Sequence, residues 1–193
     1  MNIIGLTGLA GTGKDTAAEY FIEQGYAPWA FAAPIRNALI YGFGLSEEYF
    51  DDRVLKETVI EDIGKSPREL MQLFGTDFAR NMLGNDIWVK VNGHILNQFF
   101  IAPENADVVG LVLTDVRFDN EAEYIKSKGG IIVEITRPNT SAVANHVSEQ
   151  GIDRELIDVS VPNDGDIALL HINMEEIHNK LSVGGLHAIA ANS

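Results

Sequence analysis

A glycine-rich segment near the N-terminus has the spacing of a phosphate-binding loop. Residues 8–14, Gly-Leu-Ala-Gly-Thr-Gly-Lys, match the pattern G-x-x-x-x-G-K. Glycines let successive backbone N–H groups turn toward a phosphate, and the lysine can reach the β- and γ-phosphates of a nucleotide. An apolar run, 2–7, precedes the loop and a helical pattern follows it, which argues against a simple turn with an exposed lysine. The predicted nucleotide-binding residues are Gly8, Gly11, Thr12, Gly13, Lys14, Asp15 and Thr16.

The position after the lysine departs from the usual pattern. The Ser or Thr that binds Mg²⁺ in most such loops is replaced by Asp15, and Thr16 follows. Asp15 is a candidate Mg²⁺ ligand, directly or through water, while an acidic residue in the first turn of a helix also stabilises the helix dipole. Both interpretations stay open. Thr16 can bind a phosphate instead.

A second polar group follows the nearly continuous apolar run 108–114. Asp115 and Arg117 come directly after it, and Glu121 lies four residues beyond Arg117. In open α/β sheets, ligands bind beyond the carboxyl ends of the strands. There a carboxylate suits Mg²⁺, its waters or a substrate hydroxyl, and an arginine suits a phosphate. Glu121 either holds Arg117 or contacts an acceptor; the alternative is a surface ion pair between the two.

Two arginines flank a polar excursion after the predicted strand 131–136. Arg137 ends that strand and is placed to lie over bound phosphates, whereas Arg154 lies at the far end of the excursion. A solvated surface arginine is the alternative for both, and it is the stronger alternative for Arg154.

The middle of the chain contains a helix start with basic neighbours. Ser66, followed by proline and then by glutamate at the third helical position, predicts a capping box. Lys65 and Arg68 flank it and can bind an acceptor phosphate, or they are solvated side chains at a helix start. Trp88 can stack on a nucleobase, although an indole is more often a core residue.

The elements that must position these residues alternate along the chain. Apolar runs predict strands at 2–7, 27–32, 108–114, 131–136 and 156–161. The helical patterns between them favour a three-layer α/β fold of the P-loop type, with a five-stranded parallel sheet. We expect one domain over 1–183, an inserted helical acceptor-binding region at 33–100, a lid at 138–156 and a flexible tail at 184–193.

Composition and charge exclude several classes of function. The net charge of −14 argues against sequence-independent binding to nucleic acid and against adsorption to an anionic membrane, because both need a basic face. The chain has no cysteine, which excludes disulfides and thiolate catalysis. We find neither a signal-peptide pattern nor a membrane-spanning run, so we expect a cytoplasmic protein. A homodimer stays open.

In its motifs the chain resembles the deoxynucleoside monophosphate kinases encoded by tailed phages, a branch of the nucleoside monophosphate kinase-like P-loop proteins. The matching segments follow one another over most of the chain, up to about residue 165. They are Gly13-Lys14-Asp15-Thr16, Pro34-Ile35-Arg36, Ser66-Pro67-Arg68-Glu69-Leu70-Met71-Gln72, Gly75-Thr76-Asp77, Ile87-Trp88-Val89, Asp115-Val116-Arg117-Phe118-Asp119-Asn120-Glu121, Arg137-Pro138, His146-Val147-Ser148-Glu149 and Asn163-Asp164-Gly165.

The resemblance implies transfer of the γ-phosphoryl group of ATP, with Mg²⁺, to a deoxynucleoside monophosphate in the cytoplasm, that of the host if the protein is phage-encoded. Lys14 and Thr16 would hold the ATP phosphates, and Arg137 would lie near the transferred group. The Asn163 segment looks like the family's adenine-side loop. The residues that would face the acceptor are Lys65, Arg68, Trp88, Asp115, Arg117 and Glu121. Catalysis is assigned to Lys14, Arg117, Arg137 and Asp115.

Two other functions share the phosphate loop. A small-molecule kinase such as a dephospho-coenzyme A kinase has the same layout, but the Ser66 and Asp115 segments favour a nucleotide acceptor. A P-loop ATPase or nucleotide switch would use Asp115 for magnesium, and such ATPases commonly place a glutamate directly after that aspartate. Here the next residue is Val116.

Overall fold

The computed structural model describes residues 2–138 and 151–183. Contacts divide the chain into two units, of which the smaller is Phe31–Phe99 and the larger comprises Met1–Ala30 and Phe100–Ser193. The predicted insertion, 33–100, differs from the smaller unit by two residues at its start and one at its end. That 1–183 form one domain stays a prediction. The predicted tail and residues 139–150 of the predicted lid, with His146, lie outside the described residues.

The described helices are distributed over both units, and none of them is both long and apolar enough to cross a bilayer. They are α1 (Lys14–Glu23), α2 (Ala33–Phe43), α3 (Glu48–Asp51), α4 (Arg53–Glu57), α5 (Pro67–Gln72), a π-helix (Leu73–Leu83), α6 (Ile87–Ile101), α7 (Asp119–Ser127), α8 (Ile167–Val183), and short 3₁₀ helices at Pro103–Asn105 and Arg154–Leu156.

A five-stranded sheet is the centre of the larger unit, and all of its neighbouring strands are parallel, as predicted. The strand order is β2-β3-β1-β4-β5. Because β1 is the middle strand, the loop that follows it emerges at the centre of the carboxyl edge. The strands are β1 (Asn2–Thr7), β2 (Tyr26–Trp29), β3 (Gly110–Leu113), β4 (Ile131–Thr136) and β5 (Val159–Pro162).

Helices cover both faces of this sheet, which gives the three-layer arrangement. On one face α1 and α8 pack through buried residues such as Phe21 and Met174 against Leu6 of β1. On the other face α7 packs closely, because a Cβ at Gly5 would lie 2.7 Å from Ile125. The glycine in the middle strand therefore admits α7 to the sheet.

The smaller unit is helical and has its own hydrophobic core. Its fully or nearly buried residues are Ile35, Leu39, Leu45, Phe50, Leu70, Ala79 and Trp88. In the sequence, α-helical spacing after Ser66 predicts a core face made of Leu70, Leu73, Phe74 and Phe78. For Leu73 and Phe78 this prediction is wrong, because they are 42% and 44% exposed. The reason is the π-helix that continues α5: its wider turns shift side chains away from the positions that α-helical spacing predicts.

Candidate active site

The glycine-rich loop turns sharply between β1 and α1. Gly8, Gly11 and Gly13 have φ angles of 133°, 78° and 101°, a range that side chains other than glycine rarely adopt. Within the loop, the Thr12 hydroxyl donates to the Leu9 carbonyl at 2.9 Å. The helix begins at once, since Ala17 N–H donates to the Gly13 carbonyl at 2.9 Å. The loop therefore ends at the positive end of the α1 dipole, an arrangement that favours anions.

Two of these glycines are also required by close neighbours. A Cβ at Gly8 would lie 2.3 Å from the backbone oxygen of Ile135 in β4, and one at Gly13 would lie 2.4 Å from Nδ2 of Asn163. At Gly11, by contrast, a Cβ would meet no atom within 4 Å among the described residues. The loop is thus held closely by β4 and by the segment after β5, and is open at its tip. A glycine-rich loop that is open at its tip and lies at the start of a helix suits a phosphate.

Lys14 lies across this loop. Its Nζ donates to the backbone oxygens of Gly8 and Leu9, at 2.8 and 2.9 Å. The amino group is therefore held among the backbone groups that the sequence assigns to phosphate binding. Phosphate oxygens can replace these two carbonyl acceptors without moving the helix that carries the lysine.

The loop forms one wall of a cleft of about 200 Å³ in the larger unit. Lys14 lines it together with Arg117, which the sequence predicted, and with Arg154, which the sequence ranked below Arg137. Among the described lining residues Arg137 does not occur. In the part of the lining that the structure describes, three cationic side chains thus share one cleft with a single carboxylate, that of Glu134, whose Oε2 accepts from the Ser160 hydroxyl at 2.7 Å. The balance of charge favours an anionic ligand.

Arg117 is positioned by a buried carboxylate. Glu121 is 3% exposed, and its Oε2 accepts from the backbone N–H groups of Arg117 and Phe118 at 2.9 and 3.2 Å. These bonds fix the turn between β3 and α7. Glu121 therefore lies in the interior and not at an exposed surface. Asp115, half-buried, lies in the same turn beyond the carboxyl end of β3.

Arg154 belongs to a segment that is fastened to the sheet and to α7. Asp153 N–H donates to the Asp119 carboxylate at 2.8 Å, just before the 3₁₀ helix that contains Arg154. After this helix, Asp158 accepts from Ile132 N–H at 2.8 Å and from Lys126 Nζ at 2.6 Å. These anchors on both sides hold the arginine beside the cleft.

Three residues near the loop carry oxygen atoms of the kind that Mg²⁺ prefers. Asp15 is exposed in the first turn of α1, next to Thr16, and Asp115 lies beyond the neighbouring strand. Over residues 2–138 and 151–183 no group of three or more His, Asp or Glu residues could hold a metal by itself. Mg²⁺ in kinases is bound by one or two carboxylates together with substrate phosphates, so it needs no such cage.

A comparison with known families bears on this geometry. The family model for deoxynucleotide monophosphate kinase matches residues 53–174. The chain belongs to this family. The resemblance seen in the sequence is therefore confirmed, and the chain is a kinase with a nucleotide phosphate donor and small-molecule substrates.

Individual relatives agree. A putative deoxynucleotide monophosphate kinase of Acanthamoeba polyphaga mimivirus is 36% identical, over 77% of this chain and 81% of that protein. The deoxynucleotide monophosphate kinase of Enterobacteria phage T4 is 24% identical, over 95% of this chain and all of its own length. A solved dephospho-CoA kinase from Campylobacter jejuni has a TM-score of 0.51 at 16% identity, covering 94% of this chain and 98% of its own. That likeness confirms the P-loop kinase fold alone.

Two further candidate residues of this kinase, Lys65 and Arg68, lie in the smaller unit at the start of α5. Ser66 Oγ accepts from Glu69 N–H at 3.2 Å and Glu69 Oε2 accepts from Ser66 N–H at 2.8 Å, which confirms the capping box. The bond from the Ser66 backbone and that from the side chain of Lys65 lower the pKa of Glu69. Lys65 pairs with Glu69 at 3.2 Å, and Arg68 pairs with Glu57. Both cations are therefore oriented by carboxylates.

Trp88 is a core residue of the smaller unit. It is 7% exposed, and its indole N–H donates to the Gly75 carbonyl at 2.7 Å. The sequence had left a stacking surface and a core position open, and the burial favours the core. A role toward the acceptor rests on the family resemblance.

Two polar contacts were not predicted from the sequence. Arg80 is 6% exposed in the π-helix and donates to the Asn85 carbonyl at 2.8 Å. Asn163, taken from the resemblance as part of an adenine-side loop, donates from Nδ2 to the Thr12 carbonyl at 2.8 Å. No spacing rule connects residues so far apart, so only the fold reveals the second contact.

Proposed function

We propose that this kinase transfers the γ-phosphoryl group of ATP to a deoxynucleoside monophosphate and releases the diphosphate. The observation that carries the proposal is the cleft in which the glycine loop, Lys14, Arg117 and Arg154 meet. A nucleotide phosphate donor follows from the family, and ATP is the donor that the loop suits. The names of the relatives support deoxynucleoside monophosphates as acceptors.

The loop binds and orients the donor. Its backbone N–H groups and the positive end of α1 hold the phosphates, while Lys14 exchanges the carbonyl oxygens of Gly8 and Leu9 for phosphate oxygens. Thr16 adds a hydroxyl to the same phosphates. Mg²⁺, when bound, neutralises developing charge on the phosphates, and Asp15 is its proposed protein ligand.

Arg117 and Arg154 stabilise the phosphoryl group in transit. Phosphoryl transfer needs positioning and charge neutralisation more than covalent chemistry, and a guanidinium can contact two phosphate oxygens at once. Glu121 holds the Arg117 backbone, so the arginine approaches from a fixed turn. Asp115 contacts the acceptor or the metal's waters. Arg137, exposed at the end of β4, is a further candidate for the same group.

For the acceptor we propose the residues that the resemblance assigns to it, taken unit by unit. In the larger unit they are Asp115, Arg117 and Glu121, and in the smaller unit they are Lys65, Arg68 and Trp88. We further propose that the enzyme works in the cytoplasm, that of the host cell if a phage encodes it. It acts on small molecules without nucleic acid or membrane, which the net charge of −14 supports. A homodimer is compatible with this proposal.

The test is ATP turnover with a panel of acceptors. Purified protein is incubated with ATP, Mg²⁺ and each of the four deoxynucleoside monophosphates, with the corresponding ribonucleotides, with dephospho-coenzyme A, and without acceptor. We expect diphosphate only from the monophosphates. Turnover without acceptor would favour an ATPase, and turnover with dephospho-coenzyme A alone would overturn the substrate while leaving the fold unaffected.

A further inference from the structure

Asn163 joins the segment after β5 to the phosphate loop. Its Nδ2 donates to the Thr12 carbonyl at 2.8 Å, and the same nitrogen would lie 2.4 Å from a Cβ at Gly13. The amide side chain therefore occupies the space beside the Thr12–Gly13 peptide. Glycine at position 13 is required here by Asn163 as well as by its own φ of 101°.

This contact determines how the Thr12–Gly13 peptide is oriented. The described residues contain no cis peptide bond. In a trans peptide the carbonyl and the following N–H point in opposite directions. Because Asn163 holds the Thr12 carbonyl on its own side, the N–H of Gly13 points away from Asn163. Its neighbour along the chain is Lys14, which lines the cleft.

The scaffold that carries Asn163 is firm. Its own backbone N–H donates to the Thr136 carbonyl at 2.7 Å, which continues the pairing of β4 with β5. Helix α8 starts soon after, capped by Asp166, whose side chain accepts from Leu169 N–H at 2.9 Å. Leu170 of this helix is 2% exposed. The amide is therefore fixed relative to the sheet before any ligand binds.

We propose that Asn163 is a positioning residue of the phosphate loop. Its amide holds the Thr12 carbonyl toward Asn163, so that the Gly13 N–H on the opposite side of the peptide faces the donor's phosphates. The inference rests on the proposed function, because it assumes that the donor's phosphates occupy this loop. A fixed peptide needs no reorganisation when the charge arrives, which is how preorganised donors contribute to binding and to rate.

Two substitutions separate positioning from simple packing. Asn163→Asp keeps the shape but replaces the donor by a second acceptor beside the Thr12 carbonyl, whereas Asn163→Ala removes the shape and leaves that carbonyl to water. If the hydrogen bond orients the peptide, aspartate is the worse replacement. We expect ATP affinity, measured by calorimetry without acceptor, to fall about tenfold in the alanine variant and further in the aspartate variant.

The kinetic constants give a second readout. We expect KM for ATP to rise and kcat to fall in both variants, while KM for the acceptor stays within about twofold and the melting temperature within about 4 °C of wild type, as for the loss of one hydrogen bond. Asn2→Asp is the matched control. Asn2 lies at the opposite end of β1 and donates from Nδ2 to the Tyr26 hydroxyl at 3.2 Å, so the same change there should leave ATP affinity unchanged.

The outcomes are distinct. Wild-type ATP affinity in Asn163→Asp together with weakened affinity in Asn163→Ala would mean that Asn163 only fills space, and would overturn the inference. Wild-type affinity in both would overturn it as well. If the aspartate variant does not fold, Asn163→Leu replaces it, because leucine fills a similar volume without a donor: weakened ATP affinity in that variant supports the inference, and wild-type affinity overturns it. If wild type binds ATP but phosphorylates none of the four monophosphates, the proposed function fails while the comparison of variants stands.

Discussion

Replacing Gly8 and Gly11 by alanine, one at a time, asks how the phosphate loop is fixed to the sheet. Both glycines have φ angles, 133° and 78°, that strain an L residue. The cost is about 1–2 kcal/mol near the left-handed region, where Gly11 lies, and at least as large at Gly8. The surroundings differ. At Gly11 a Cβ meets no described atom within 4 Å, whereas at Gly8 it would lie 2.3 Å from the backbone oxygen of Ile135.

The close approach to Ile135 makes Gly8→Ala the more destabilising of the two substitutions. Ile135 is fully buried in β4, which is hydrogen-bonded to strands on both sides, so its carbonyl cannot move aside locally. Forcing a methyl group into a packed site costs about 1–3 kcal/mol more. The two variants should therefore differ by about 2 kcal/mol, which for a chain of this size corresponds to about 4–8 °C in melting temperature.

Urea unfolding followed by circular dichroism, with a thermal melt in parallel, measures this difference. Gly11→Ala serves as the matched control, since it adds the same methyl group to the same loop. Equal losses of stability in the two variants would refute the reasoning, because the strain of φ alone would then explain both. A lower stability for Gly11→Ala than for Gly8→Ala would show that the tip of the loop is not open.

Four further outcomes are expected. Lys14→Ala should abolish transfer while urea unfolding stays near that of wild type, because water can replace the amino group at the carbonyl oxygens of Gly8 and Leu9; near-normal turnover would count against the phosphate loop. Arg117→Lys should lower kcat/KM about 100-fold while calorimetric ATP binding survives, because lysine lacks the planar fork; full activity would place the acceptor elsewhere. Ser66→Ala should cost about 1 kcal/mol through loss of the N-cap and raise the acceptor KM, and an unchanged melt and KM would contradict this. The pKa of Glu69 is lowered in the folded state, so the stability difference between wild type and Glu69→Gln should be complete above the carboxyl's ordinary pKa and disappear as pH falls through the lowered value; a difference that persists in acid would contradict the role of the ionised carboxylate.

Local features were predictable from the sequence. The phosphate loop, β1 and the capping box at Ser66 each depend on residues within a few positions of one another, and the structure confirms the strand and the cap at the predicted residues. The parallel sheet was also predictable, because continuous apolar runs separated by helical patterns leave few other topologies. The π-helix was not, and for that reason Leu73 and Phe78 were assigned to the core wrongly.

Which residues line the cleft was less predictable from the sequence. Sequence position favoured Arg137, at the end of a strand, over Arg154 within a polar excursion. The structure places Arg154 at the cleft because Asp119 and Asp158, from α7 and the approach to β5, hold its segment there. An arginine's position along the chain indicates which strand it follows, but not which anchors fix the segment that carries it.

The sequence by itself therefore determined that the chain binds phosphate, that a parallel sheet presents the loop, and which family it belongs to, because each of these depends on local spacing or on the order of motifs. The tertiary structure alone decided which distant groups meet there. Asn163 and Thr12 are 151 residues apart in the sequence. They meet because β5 pairs with β4 and β4 pairs with β1, so the carboxyl ends of β5 and β1 lie at the same edge of the sheet. Such contacts depend on strand order and helix packing, which no short segment of sequence contains.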